Sequence, residues 1–179
     1  MAIQTIDEGL ARHSLGILAA EEIPALALLF LDEGCDVREM AALAGSLAID
    51  HPSDLRSDLE KAVPLAGRTF PARIQAALVL RQLYAQRASS GALPPRDAAE
   101  LIIHLFRLIQ GELPKTDQYL GDSFGIAKLV GLFYSYDDIP FGDTTSANEI
   151  DRDLLDELGG LASHGAVAGV HRQSERTVE

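Results

Sequence analysis

The stretch Ala19–Leu47, AAEEIPALALLFLDEGCDVREMAALAGSL, constrains this chain more than any other part of it. Apolar residues recur in it at steps of three and four: Leu26, Leu29 and Phe30 before Gly34, then Met40, Leu43 and Leu47 after it. That is the period of a helix with one buried side, not of a strand. Gly34 is a natural helix stop, and Asp36 with Glu39 three residues on has the spacing of an N-terminal capping pair. Two short helices with one apolar stripe each must bury those stripes against other helices, so the stretch argues for all-α packing.

The same pattern continues along the chain. A first helix is predicted over Ile6–Leu18, weakened by Gly9 and Gly16, and a second over Ala19–Glu33, with Pro24 in the first turn where its missing N–H costs nothing. Pro52–Leu65 is the fourth helix, stopped by Gly67. The fifth runs from Pro71 to about Ala88, with Ile74, Ala77, Leu78, Leu80, Leu83 and Tyr84 inward and Arg73, Arg81 and Arg87 on the surface. Ser89-Ser90-Gly91 reads as a joint. The sixth helix opens at Pro94-Pro95, reaches about Gln110 and carries Leu101, Ile102, Leu105, Phe106 and Ile109 as its stripe. A seventh, capped by Asp122 or Ser123 and running to Tyr136, is apolar almost all round, the mark of a central or interface helix. Its segment Val130–Tyr136 also has strand-compatible content, with Gly131 as a bulge. The eighth is predicted over Glu149–Leu161, capped by Asn148 and Asp151, carrying Ile150, Leu154, Leu155 and Leu158, and ended or frayed by Gly159-Gly160.

The expected fold is therefore all-α: seven to eight helices in an irregular bundle or a short right-handed stack of helical pairs. Residues 1–162 form one all-helical domain with a sub-boundary near 89–93, and 163–179 form a weakly structured tail. Ala and Leu predominate over β-branched residues, which supports the same reading. With 47% hydrophobic residues in 179, the chain can bury a substantial core.

Charge narrows the function classes. Fifteen basic and twenty-seven acidic residues give a net charge of −12, which repels a phosphate backbone and disfavours nucleic acid as a partner. The excess is uneven: −4 over residues 1–90 and −8 over 91–179, with eight acids and the single base Arg152 between Asp137 and Glu157, Lys128 lying outside that span. No apolar run is long enough to span a membrane, and the N-terminus lacks the basic-then-apolar order of a signal peptide, so a cytoplasmic setting is expected. One cysteine, Cys35, can make neither an internal disulfide nor a cysteine zinc site.

Catalytic signatures are missing from the sequence. The histidines His13, His51, His104, His164 and His171 do not fall at metal-ligand spacings. His104, between Ile103 and Leu105, reads as a hydrogen-bonded histidine beside the core, or less simply as a buried base. There is no Gly-x-Ser-x-Gly turn, no phosphate-binding glycine loop and no EF-hand spacing among the acids, so neither a cofactor nor a metal is assigned. The constellation that stands out is the acidic run with adjoining aromatics: Asp137, Asp138, Asp143, Glu149, Asp151 and Asp153, with Tyr136 and Phe141. Such a surface suits docking of a basic protein, because complementary charge steers encounter and aromatics anchor interfaces.

The residues Leu18–Pro24, Glu33–Asp36 and Leu43-Ala44, within a span of about 15–66, resemble a segment of uncharacterised bacterial all-helical proteins, a domain of unknown function. The resemblance implies a bacterial helical protein, and it brings no reaction and no site residue with it. Taken together, these features predict a protein-binding module for a basic partner, of the immunity or inhibitor kind. Two other classes fit the same residues: a helical enzyme or binder of small molecules or metals with a pocket between helices, and a homo-oligomeric scaffold joined through Phe124–Tyr136.

Overall fold

The computed structural model describes residues 2–46, 51–113 and 124–164. Among the described residues there are eight α-helices and no strand: α1 (Ile6–Ser14), α2 (Ile23–Asp32), α3 (Arg38–Ala44), α4 (Pro52–Leu65), α5 (Arg73–Ser89), α6 (Pro95–Ile109), α7 (Ala127–Tyr134) and α8 (Thr144–His164). Single 3₁₀ turns lie at Ala20–Glu22 and Ser135–Asp138. The architecture is the irregular all-α bundle that the periodicity predicts. The strand reading of Val130–Tyr136 is overturned: α7 and the following 3₁₀ turn occupy it, and Gly131 is an ordinary helical residue. The described residues divide into two compact units, one drawn from Met1–Leu80 with Leu108–Leu113, the other from Arg81–Arg107 with the described part of Pro114–Glu179.

The first unit has a single apolar core. Ile6 and Leu10 of α1, Ile23, Leu26, Ala27 and Phe30 of α2, Met40 and Leu43 of α3, and Leu55, Leu59, Ala62 and Val63 of α4 are all buried in it. Four helices end in the same way, two of them at the stops read from sequence. At the end of α2, Gly34 has φ +88°, its N–H bonds to the Leu31 carbonyl, and the Cys35 N–H reaches back to Phe30. This is a Schellman ending, in which a residue without Cβ adopts the left-handed conformation that frees two N–H groups for the last carbonyls. Gly16, Gly67 and Gly91 close α1, α4 and α5 with the same two bonds. Gly16 therefore stops the first helix at Ser14, short of the predicted Leu18.

Three further details differ from the sequence reading. Gly9, whatever it costs α1 in helix propensity, makes room for α2, since a Cβ there would lie 2.4 Å from Leu26 Cδ1. Asp36 does not cap α3. The residue before the helix is Val37, half-buried against the core, and that packing sets the helix frame one residue past Asp36, which stays exposed. Thr5 caps α1 with the Thr-x-x-Glu spacing of a capping pair: Thr5 Oγ1 accepts the Glu8 N–H, and the buried Glu8 carboxylate accepts the Gln4 N–H. Arg12 and Glu22 meet in a part-buried bidentate pair at 2.9 and 2.7 Å, and Glu22 also accepts the Ala19 N–H.

In the second unit the inner faces follow helical geometry more strictly than residue type. Tyr84, Arg87 and Ala88 lie on the buried side of α5, so Arg87 is 6% exposed and not a surface residue as predicted. On α6 the stripe is Ala98, Ala99, Ile102, Ile103, Leu105 and Phe106. His104 lies on the opposite arc with Glu100 and Arg107 and is exposed, so neither reading of it as a core histidine or a buried base holds. On α8, Leu154 and Leu158 are buried and Leu155 points outward. This helix starts five residues before the predicted start and runs through Gly159 and Gly160 to His164. Each glycine costs about 1 kcal/mol in a helix, an amount that packing of Leu158 and the half-buried Leu161 offsets. The seventh helix is shorter and less enclosed than its composition predicts: only Leu129 is fully buried, and Tyr134 is 44% exposed. The expected caps Asp122 and Ser123, and the tail beyond His164, lie outside the described residues.

Candidate functional site

The acidic stretch lies wholly within the second unit, and the local chain path explains its shape. After α7 the 3₁₀ turn carries Asp137 and Asp138 on the outside. Pro140 and Gly142, the latter at φ +88°, then fold the chain sharply, with the Asp143 N–H bonded to the Pro140 carbonyl at 3.0 Å. Phe141 sits at the apex of that turn and is fully exposed, at 109% of its reference area. Immediately after, Asp143 Oδ1 accepts the N–H groups of Thr145 and Ser146, both at 3.1 Å, and Oδ2 accepts the Ser146 hydroxyl at 2.6 Å. Asp143 is thus the N-cap of α8, the role predicted for Asn148 and Asp151. The hydroxyl and backbone donors of Ser146, helped by the Thr145 N–H, hold its carboxyl below the ordinary aspartate range.

Tyr136 and Asp151 are also committed to the fold. The Tyr136 hydroxyl donates to Asp151 Oδ1, and the Arg96 guanidinium lies 4.7 Å above the centre of the Tyr136 ring. Burial, and then the Asp151 carboxylate, push the Tyr136 phenol above its ordinary value, so it stays protonated across the physiological range. A shallow cleft lies beside this group, lined by Arg96, Tyr136, Ile139, Pro140 and Thr144.

The eight predicted residues therefore separate into two groups. Asp143, Asp151 and Tyr136 are structural: they start α8 and tie it to the turn that follows α7. Asp137, Asp138, Glu149 and Asp153 are exposed, and they share the region with the bare ring of Phe141. Glu149 and Asp153 stand one helical turn apart on the outer face of α8, and Asp156 extends the same exposed row. Among the described residues no group of three or more His, Cys, Asp or Glu side chains converges on a point where a metal ion could sit. No helix among them is long and apolar enough to cross a membrane.

Sequence reasoning missed one polar feature of this unit. Arg81, assigned to the surface, is part-buried; it donates to the Phe124 carbonyl and lies 5.1 Å from the centre of the Phe124 ring. Its Nε is buried and has no hydrogen-bond partner among the described residues. A signal was available, because Arg81 follows the buried Leu80 on a helix whose inner face includes Tyr84, Ala85 and Ala88. Compared with known protein families, curated proteins and solved structures, the chain matches none.

Proposed function

We propose that this protein is a protein-binding module of the immunity or inhibitor kind, and that the surface around Phe141 docks a basic protein partner. The observation that carries the reading is Phe141 itself: a fully exposed phenylalanine at the apex of a turn, in a segment that also carries the exposed carboxylates Asp137, Asp138, Glu149 and Asp153. An exposed aromatic ring costs hydration free energy that a partner pocket recovers, and aromatic residues are the commonest energetic anchors of interfaces. Asp137, Asp138, Glu149 and Asp153 supply the complementary charge for a basic partner, raising its encounter rate and fixing its orientation. Asp143, Asp151 and Tyr136 take no direct part in docking; they hold the turn that presents Phe141.

The test places a photoreactive phenylalanine analogue at position 141 in the native host. The control carries it at Leu65, which is also exposed but lies in the first unit. A discrete adduct with a basic protein at 141 and not at 65 is expected. That protein, purified, should bind the chain with an affinity that falls as salt is raised from dilute buffer to half-molar. Phe141→Ala should weaken binding by on the order of thirtyfold, the scale of an interface anchor. Combined Asp137→Asn, Asp138→Asn, Glu149→Gln and Asp153→Asn should slow association. Absence of an adduct specific to 141, or binding indifferent to both sets of changes, overturns the proposal.

A further inference from the structure

A second feature of the second unit is independent of Phe141. A cleft of about 470 Å³ opens where Arg81 of α5, Gly125, and Glu157, Gly160 and Leu161 of α8 come together. Its volume falls within the range of small-ligand sites, roughly 300–1,000 Å³. A guanidinium taken out of water needs acceptors for its five N–H groups and a counter-charge for its cation. Arg81 obtains one carbonyl, that of Phe124, and the face of the Phe124 ring. Among the described residues its buried Nε has no acceptor. Burial lowers the pKa of this arginine from its ordinary value, in keeping with a cation short of compensation.

The natural counter-ion would be a carboxylate, and one lines the same cleft. Glu157, however, is taken by Lys128 at 3.0 Å, which raises the lysine pKa through that hydrogen bond and then the charge. Among the described residues no acid pairs with Arg81. The rest of the cleft is small or apolar. An added Cβ at Gly160 would meet nothing within 4 Å, and Leu161 supplies an aliphatic surface.

We propose that this cleft binds a small aliphatic monocarboxylate, whose carboxylate pairs with the Arg81 guanidinium and whose chain lies against Leu161 in the space left by Gly160. A planar carboxylate matches the guanidinium fork, accepting two parallel N–H bonds. One arginine balances one negative charge, and the paired Glu157 and Lys128 add no net positive charge to the cleft, so a dianion such as phosphate is selected against. Leu161 and the space at Gly160 give an alkyl chain an aliphatic surface to lie against.

The probe is hexanoate, titrated into the full chain while the backbone amides of Gly125 and Gly160 are followed by NMR. Saturable shifts of both are expected, with Kd on the order of 1 mM for a ligand of this size. Hexanamide, equal in shape but uncharged, and inorganic phosphate should each leave the two amides unshifted. Arg81→Lys keeps the charge and loses the fork, so binding should weaken at least tenfold. Arg81→Leu should abolish binding with little change in Tm, because loss of the Phe124 carbonyl contact is offset by removal of a part-buried cation whose Nε has no acceptor among the described residues. Gly160→Leu fills the cleft and keeps Arg81, and it too should abolish binding, so the test does not depend on an arginine variant folding. Absence of saturable shifts with hexanoate, equal shifts with hexanamide, tighter binding of phosphate, or binding retained in Gly160→Leu and Arg81→Lys would each overturn the proposal.

Discussion

The two units differ in how fully each satisfies its own chemical demands. In the first, charged groups that approach the core find partners of matching geometry. Arg12 is clamped by Glu22, Arg56 donates to the Leu18 carbonyl at 3.0 Å, and Arg73 reaches Glu112 at 2.5 Å and the Leu108 carbonyl at 3.0 Å. In the second, Arg81 keeps a buried nitrogen without an acceptor among the described residues, and Phe141 stands bare. A unit that meets its own needs has little left with which to recognise another molecule. Under the proposed docking and ligand binding, the unmatched cation and the exposed ring are what a bound molecule would complete, so those proposals place recognition in the second unit.

The strongest way to break this contrast is to ask whether the first unit is as closely fitted as its geometry implies. Leu26 is fully buried and has nowhere to retreat from a methyl group at position 9. Gly9→Ala should therefore destabilise by about 1–3 kcal/mol through overpacking, although alanine is the better helix former. Leu26→Ala alone should cost about 2–5 kcal/mol by leaving a cavity. In the double variant the alanine methyl occupies part of that cavity, so the Gly9→Ala cost should shrink towards zero. Denaturant unfolding of the four proteins reads the coupling directly. Additive losses would mean that α1 and α2 are not held in this close approach.

The sequence made the first unit legible and the second less so, for a physical reason. Where apolar side chains at helical spacing decide the packing and a glycine in left-handed conformation ends the helix, both signals are local: the Gly34 ending of α2 and the span of α4, Pro52–Leu65, are readable in the sequence, whereas α2 begins at Ile23, after a 3₁₀ turn, and not at Ala19. The errors arose where tertiary packing overrode a local rule. Val37, pressed on the core, set the start of α3 in place of Asp36. Helical register buried Arg87 and exposed His104 against their types' ordinary habits. Packing also carried α8 through two glycines. In the candidate site, residue identity alone could not separate acids serving the fold from acids facing water. Asp143 and Asp137 look alike in a charge run, and only the helix start distinguishes them.

That distinction gives the next test, on the second unit. If Asp143 is a cap and not part of a docking face, Asp143→Asn should preserve most of the stability, because asparagine also accepts the Thr145 and Ser146 N–H groups. Asp143→Ala should lower Tm and speed amide exchange in the first turn of α8, from Thr144 onward, with little change near Leu158. The carboxyl is held below its ordinary pKa, so its contribution is present above the unfolded value, near 3.8, and is lost as pH falls through the lower folded value. Asp143→Asn should flatten that acid limb. Equal effects of Asn and Ala would remove the capping role and return Asp143 to the exposed acids around Phe141.

The smallest expected effect tests whether the first unit is free of unmet demands. His13 stacks on Phe70 with ring centres 4.5 Å apart, and Glu60 lies 3.6 Å from its Nε2. Burial lowers its pKa below 6.5; Glu60 opposes that shift and Arg56 reinforces it. A histidine with a lowered folded pKa is more readily protonated when unfolded. Its contribution is therefore present above the unfolded pKa near 6.5 and is lost as pH falls from there through the lower folded value. Stability should rise with pH across that window, by less than about 1 kcal/mol because Glu60 offsets part of the burial cost. Comparing the stability–pH curve of the protein with that of His13→Gln isolates the term. His13→Gln should lose the slope near pH 6, whereas Glu60→Gln should steepen it by removing the opposing charge. If Glu60→Gln instead flattens the slope, His13 is held protonated by Glu60, and the first unit carries an ionisable contact of its own.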